Sequence, residues 1–206
     1  MKKGLLIIIA LLLVAALSLL VSGVVTINKK SPQPATTETL VQVNETDPFK
    51  GATAAKVVII EFSSFSCPSC QRSASALGQL LALYPNELKL VWKDLPHDLE
   101  LSRAAAMAAR CAQLQGQFWA YHDLLFSHQS DLSADLLTQA ADQLSLDRTA
   151  FDRCLSTNQT LPLVEQNIQE ALDHKIDAVP YFDVNGQGYS GELSLGRWRQ
   201  VLEELK

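Results

Sequence analysis

Charge is scarce in this chain, and positive charge is the scarcer kind. Only 19% of its 206 residues are Asp, Glu, Lys or Arg, against 48% that are apolar. A disordered chain lacks the apolar surface to offset its conformational entropy, so disorder is excluded as the general state. Four of the 17 basic residues and none of the 22 acidic ones fall in the first 30 positions, which leaves residues 31–206 with a formal charge of −9. An acidic body of this kind does not track a phosphate backbone, and nucleic acid is excluded as a partner. Glycine (9) and proline (8) are too few for a collagen-like or low-complexity chain. Four cysteines are too few for a disulfide-dense mini-scaffold, although an even number invites pairing. No internal repeat is visible, and the length suits one domain of ordinary size with an accessory segment.

The one long hydrophobic run stands at the N-terminus. Lys2 and Lys3 precede an uncharged stretch from Leu5 to Ile27. As a helix it would be about 35 Å long, enough to cross a hydrocarbon core of about 30 Å. A cleaved signal peptide has a shorter apolar region followed by a small-residue site, whereas here Ser22-Gly23 lies inside the run. No cysteine is near enough to accept a lipid. Residues 1–27 are therefore expected to be an uncleaved signal-anchor, with a cleaved signal peptide as the alternative. Lys2 and Lys3 favour a cytoplasmic start and an extracytoplasmic body, although Lys29 and Lys30 blunt the asymmetry. Residues 28–50 carry Pro32, Pro34 and Pro48 among many Thr and Ser and read as a linker, with a short strand at Thr39–Val43 able to dock on the folded part. Asn44-Glu45-Thr46 and Asn158-Gln159-Thr160 match the N-glycosylation triplet, which matters only in a eukaryotic secretory lumen.

The folded part is expected over residues 51–206. Lys56–Phe62 is a β-branched run of buried-strand type interrupted by Glu61, and Ser63–Ser66 read as a polar turn. Pro68 sits where a helix accepts its first residue, and Ala74, Leu77, Leu80, Leu81 and Tyr84 continue at helical spacing. Leu88–Trp92 is a second strand. From about Leu99 to Lys175 the pattern is helical, including Ser102–Gln115, Gln117–Ser127, Ser133–Gln143, Asp147–Ser156 and Leu161–His174. Val179–Val184 and Gly188–Ser190 form a hairpin around Asn185-Gly186, and Ser194–Leu205 is a closing helix. This order describes an α/β or α+β layer fold with a large helical insertion.

Cys67-Pro68-Ser69-Cys70 follows the first strand and opens the helix. Three-residue spacing in a first helical turn brings both sulfurs to one side. The helix N-terminus offers unpaired N–H groups and positive dipole charge, which favour a thiolate at Cys67. Such a thiolate is both a nucleophile and a good leaving group. A zinc half-site is the competing reading, but Cys111 and Cys154 are single and distant, and His97, His122, His128 and His174 show no ligand-pair spacing. A purely structural bridge across so small a loop would remove little chain entropy. Metal and organic cofactors are not expected.

The run IIEFSSFSCPSC resembles the active-site strand and turn of DsbA-like thiol:disulfide oxidoreductases. CAQLQGQFWAYHDLLF, FDRCL and AVPYFDVNG extend the similarity over about residues 54–205. The resemblance implies a thioredoxin fold with an inserted α-helical subdomain at about 97–175. It implies Cys67 as the exposed attacking cysteine, Cys70 as its more buried partner, and Pro180 as a cis-proline facing the dithiol. Val179, Pro68 and Ser69 would meet substrate. Glu61 matches a buried acid under the site, where a raised pKa would let it relay the Cys70 proton; a salt-bridged or solvent-facing Glu is the alternative. Some family members carry a second disulfide in the insertion, which points to Cys111–Cys154. Strongly oxidising members carry His where this chain has Ser69, so a less oxidising couple is expected here.

The resulting expectation is a membrane-anchored, extracytoplasmic, bacterial enzyme that introduces disulfides into exported proteins through Cys67–Cys70. Its partners would be unfolded or reduced exported proteins and a membrane quinone-linked thiol oxidase that restores the bond, and the protein itself would be a monomer. The alternatives are a reductase or isomerase of the same fold, or a non-catalytic anchored peptide binder. His97 would sit in a solvated loop near the site. Phe118, Trp119, Tyr121 and Phe126 would be core of the insertion.

Overall fold

The centre of the molecule is a parallel pair of strands, β2 (Val57–Ser63) and β3 (Leu88–Asp94), with Val57 aligned to Leu88 and Ser63 to Asp94. This is a computed structural model that describes residues 41–96 and 100–205. The expected anchor, the first part of the linker and His97 lie outside the described residues. No helix among the described residues is long and apolar enough to cross a membrane.

Three further strands complete a five-stranded sheet. β1 (Phe49–Gly51) pairs antiparallel to β3, β4 (Tyr181–Val184) antiparallel to β2, and β5 (Gln187–Ser190) antiparallel to β4, giving the order β1-β3-β2-β4-β5. The β4–β5 turn is Asn185-Gly186, both at positive φ (51° and 88°), the backbone a two-residue hairpin requires. Helix α1 (Pro68–Leu83) connects β2 to β3. Between β3 and β4 come α2 (Leu101–Gln113), α3 (Phe118–Ser127), a 3-10 turn at Gln129–Asp131, α4 (Ala134–Gln143), α5 (Arg148–Ser156) and α6 (Leu161–Asp173); α7 (Leu195–Glu204) closes the chain.

Side-chain alternation along β2 assigns its two faces. Ile59 points to one side and packs with Leu77 and Leu80 of α1 and Trp198, Val201 and Leu202 of α7. Ile60 and Phe62 point to the other and pack with Val91, Ile176 and Ala171 of α6. Each large apolar side chain so buried contributes roughly 1.5–3 kcal/mol. The insertion has its own core. Ala105, Ala108, Ala109 and Ala112 are fully buried, so α2 can lie close against its neighbours. This is the thioredoxin fold with a helical insertion.

The end of β3 gathers buried charge. Lys93 is inaccessible to solvent and pairs with Asp47 at 2.8 Å and Glu170 at 2.7 Å. Asp94 accepts from Arg110 and from Trp92 Nε1, while Arg110 also donates to the Thr46 carbonyl and to Asn167 Oδ1. The chain ahead of β1, α2 and α6 are thereby fastened to one strand.

Three details differ from the sequence reading. The folded unit takes in residues assigned to the linker: Val41 and Asp47 are buried and β1 lies at Phe49–Gly51, while Val41–Asn44 carry no strand. A three-residue edge strand has no readable periodicity and is set by its partner β3. Gly51 is needed there, since its φ is +98° and a Cβ would run into the Leu88 carbonyl. Strand β2 extends through Ser63, which the polar run Ser63–Ser66 had suggested was turn. Strand β4 begins at Tyr181, with Val179 and Pro180 in a bend before it.

Candidate active site

The turn between β2 and α1 is held from the insertion. Ser64 Oγ is 2.7 Å from Ser102 Oγ in the first turn of α2, and Ser66 Oγ donates to the same oxygen at 3.1 Å. Gln129 Nε2 donates to the carbonyls of Phe65 (2.8 Å) and Cys67 (2.9 Å). Phe65 stacks on Trp92 with ring centroids 4.9 Å apart. Backbone that would otherwise be a loose loop is thus fixed at both its polar and its apolar side chains.

Cys67 is the N-cap of α1, with Pro68 in the first turn. Its sulfur accepts from the Cys70 N–H at 3.4 Å and lies 3.0 Å from Ser69 Oγ. The Cys70 thiol is the largest influence lowering the Cys67 pKa, joined by the Ser69 hydroxyl and the N–H groups of Ser69 and Cys70; burial opposes them, and the value falls from 9.0 to about 5. For Cys70, burial and the adjacent Cys67 sulfur drive the pKa upward. Both are free thiols in the structure. The pair therefore combines a ready thiolate with a partner that stays protonated. Cys67 was expected to be exposed, but only 8% of its surface is open, because the Val179 carbonyl lies 3.7 Å from its sulfur and the turn wraps around it. Cys70 is wholly buried. The Val179–Pro180 bond is cis. Pro68 is exposed, Ser69 and Val179 are partly so, and Pro180 is buried.

Glu61 lies below this pair and is inaccessible to solvent. Loss of hydration dominates its titration and raises the pKa from 4.5 to about 8; the Ser63 hydroxyl and Lys50 pull it down, and charge on Cys67 pushes it up. Lys50 Nζ is 3.8 Å from Asp123 and 4.5 Å from the Trp119 ring centre. His122, held down by burial, sets its Nδ1 2.7 Å from Asp123 Oδ1 and turns its ring edge to Trp92 and Phe126.

The structure thus brings Cys67, Cys70, Pro68, Ser69, Val179 and Pro180 together at one end of the sheet. Gln129, Ser102 and Ser63 went unread in the sequence. Ser63 alone had a signal, being two residues beyond Glu61 on a strand. Cys111 and Cys154 are joined by a disulfide between α2 and α5, with Cα atoms 5.9 Å apart, within the insertion core. Among the described residues no group of three His, Cys, Asp or Glu side chains is arranged to hold a metal ion.

A family model described as Thioredoxin matches residues 43–204. The Na(+)/H(+) antiporter NhaA 3 of Salinispora tropica is 32% identical over 151 residues, which is 72% of this chain and 23% of that protein. The chain spans about a quarter of the length of the curated relatives it matches. A thioredoxin-like oxidoreductase from Silicibacter pomeroyi superposes with a TM-score of 0.71 at 23% identity, covering 82% of this chain and 97% of that one. The thiol-disulfide exchange protein alpha-DsbA2 of Wolbachia pipientis superposes with a TM-score of 0.72 at 18% identity, covering 79% and 89%. At these identities the structural likeness establishes a shared thioredoxin-like fold.

Proposed function

Since the chain belongs to the thioredoxin family, we propose that it is a thiol:disulfide oxidoreductase that donates the Cys67–Cys70 disulfide to exported proteins. The observation that carries this reading is the asymmetric pair at the head of α1, a stabilised thiolate at Cys67 beside a buried thiol at Cys70. A client thiolate attacks Cys67 Sγ of the oxidised pair, the Cys67–Cys70 bond breaks, and Cys70 leaves with the electron pair and takes up a proton. A second client thiolate then attacks the client sulfur of the mixed disulfide. The client gains a disulfide, and Cys67 leaves as the thiolate its surroundings favour. Stabilising that thiolate lowers the energy of the reduced enzyme and so makes the oxidised enzyme a better oxidant. Pro180 and Val179 would present backbone to the client, Pro68 and Ser69 would meet it at the rim, and Glu61 would exchange the Cys70 proton.

Residues 1–27 act as a membrane anchor in this proposal, with the linker beginning at residue 28 and the body outside the cytoplasm. The Lys2-Lys3 flank and the Cys111–Cys154 bond, of a kind that persists in oxidising compartments, support that placement. A membrane quinone-linked thiol oxidase would restore the bond, and the enzyme would work as a monomer. The test is equilibration of the full chain in graded glutathione buffers, with Cys111 and Cys154 mapped separately. A Cys67–Cys70 potential above about −180 mV is expected of a donor. One near or below about −250 mV would reassign the enzyme as a reductase. A pair that never exchanges with glutathione would leave a non-catalytic peptide binder.

A further inference from the structure

Three side chains at and beneath the dithiol are cut off from solvent: Cys70 and Glu61 at 0% exposure and Ser63 at 1%. Glu61 and Ser63 are two residues apart on β2, so both leave the face that Ile59 shares with Leu77 and Leu80 of α1. Strand β2 advances toward the active-site turn while α1 runs back from it. Two strand residues cover about 6.7 Å and four helical residues about 6 Å, so the strand and helix positions stay in step. The walk from Ile59 to Ser63 therefore parallels the walk from Leu77 back to Cys70, and Ser63 comes to the level of the Cys70 sulfur with Glu61 one step below. Neither Glu61 oxygen nor Ser63 Oγ has a formed hydrogen bond. The hydroxyl is free to turn toward either neighbour.

We propose that the Ser63 hydroxyl is the proton relay between Cys70 and Glu61. The proposal rests on the disulfide-exchange reading above. When Cys70 leaves as a thiolate, Ser63 Oγ–H gives its proton to the sulfur and takes the proton of the Glu61 carboxyl in its place. Cys70 ends as a thiol, Ser63 as a hydroxyl and Glu61 as a carboxylate, and no electrons move in this step. In the opposite direction the Cys70 thiol gives its proton to Ser63 and Ser63 passes its own to the Glu61 carboxylate, freeing Cys70 to attack the mixed disulfide. The titrations agree with these roles. Ser63 lowers the pKa of both Glu61 and Cys70. Glu61, held up to about 8, carries a proton at neutral pH; the charged groups acting on it are Lys50 from β1 and Cys67 from the head of α1.

Rate constants for oxidation and reduction by glutathione, measured on the full chain across neutral and mildly alkaline pH together with the equilibrium constant, test the relay. Ser63→Ala should slow both directions by the same factor, about 100-fold, the lower end of general acid–base effects. The inflexion that Glu61 imposes near pH 8 should vanish, while the equilibrium constant stays put. Ser63→Thr keeps the hydroxyl and should retain the rate; Ser63→Val, nearly the same shape, should not, and this pair decides the matter if the alanine variant folds poorly. Wild-type rates in Ser63→Ala, equal rates in the Thr and Val variants, or an equilibrium constant that moves with the rate would overturn the relay alone. A wild-type pair inert to glutathione would overturn the oxidoreductase reading and the relay with it.

Discussion

At the scale of single residues, two titrations oppose each other in the reduced protein. Glu61 keeps its proton to about pH 8 when folded and to 4.5 when unfolded, so its contribution to stability is complete below 4.5 and is lost as pH rises through 8. Cys67 keeps its thiolate down to about pH 5 when folded against 9.0 unfolded, so its contribution is present above 9 and is lost as pH falls through 5. Each slope is at most about 1.4 kcal/mol per pH unit, and they have opposite signs between these limits. Reduced wild type should therefore vary little in stability from about pH 5 to 8, and reduced Glu61→Gln should grow more stable as pH rises across that range. Urea titrations at several pH values check this, and a variant as flat as wild type would contradict it. Ser69, 3.0 Å from the Cys67 sulfur, bears on the same thiolate. A hydrogen bond to a charged group contributes about 1.5–3 kcal/mol, and this one faces partly to solvent, so the low end applies. Ser69→Ala should raise the Cys67 pKa and lower the potential of the pair by about 30 mV, the equivalent of about 1.4 kcal/mol. Ser69→His, which supplies a donor able to carry charge, should move both the other way. Thiolate absorbance against pH and glutathione equilibria read the two quantities.

Among the elements, β1 and the chain ahead of it show what a sequence conceals. The Cys67-Pro68-Ser69-Cys70 turn was legible because its chemistry is local: two sulfurs three residues apart at the head of a helix. The α1 and α7 periodicities and the Asn185-Gly186 turn are equally local. Phe49–Gly51 become a strand because β3 lies beside them, and the buried Asp47 pairs with Lys93, 46 positions further along the sequence. Gln129 and Ser102 reach the active-site turn across similar gaps, and nothing in their neighbours announces it. Lys93→Met tests the anchoring. It leaves Asp47 buried without its cation, and breaking a buried pair in this way costs about 3–5 kcal/mol. Urea denaturation should register that loss. Limited proteolysis should also show earlier cleavage among residues 41–50, and protection equal to wild type would show that Arg110 and Gln113, through the Thr46 carbonyl, hold the segment by themselves.

For the whole molecule, the question is whether the insertion is a staple for the site or a unit with its own stability. Cys111 and Cys154 tie α2 to α5 across 43 positions, and closing a loop of that length stabilises by up to about 4 kcal/mol in the chain-entropy model. The insertion touches the dithiol turn elsewhere, through Ser102 at the head of α2 and Gln129 beyond α3. Ser102 is nine residues from Cys111 along α2, about 13.5 Å at the helical rise. Between them Arg110 pins the same helix to Asp94 of β3. Removing the disulfide should therefore loosen α5 and its neighbours while α2 stays seated on the sheet. The double variant Cys111→Ala/Cys154→Ala should lose stability toward urea by as much as about 4 kcal/mol, with amide exchange quickening first in α4 and α5. Its Cys67–Cys70 equilibrium with glutathione should match wild type. A potential that shifted by more than about 30 mV would mean that the second bridge reaches the first through Ser102 and Gln129, and that the insertion sets the chemistry as well as the shape of the site.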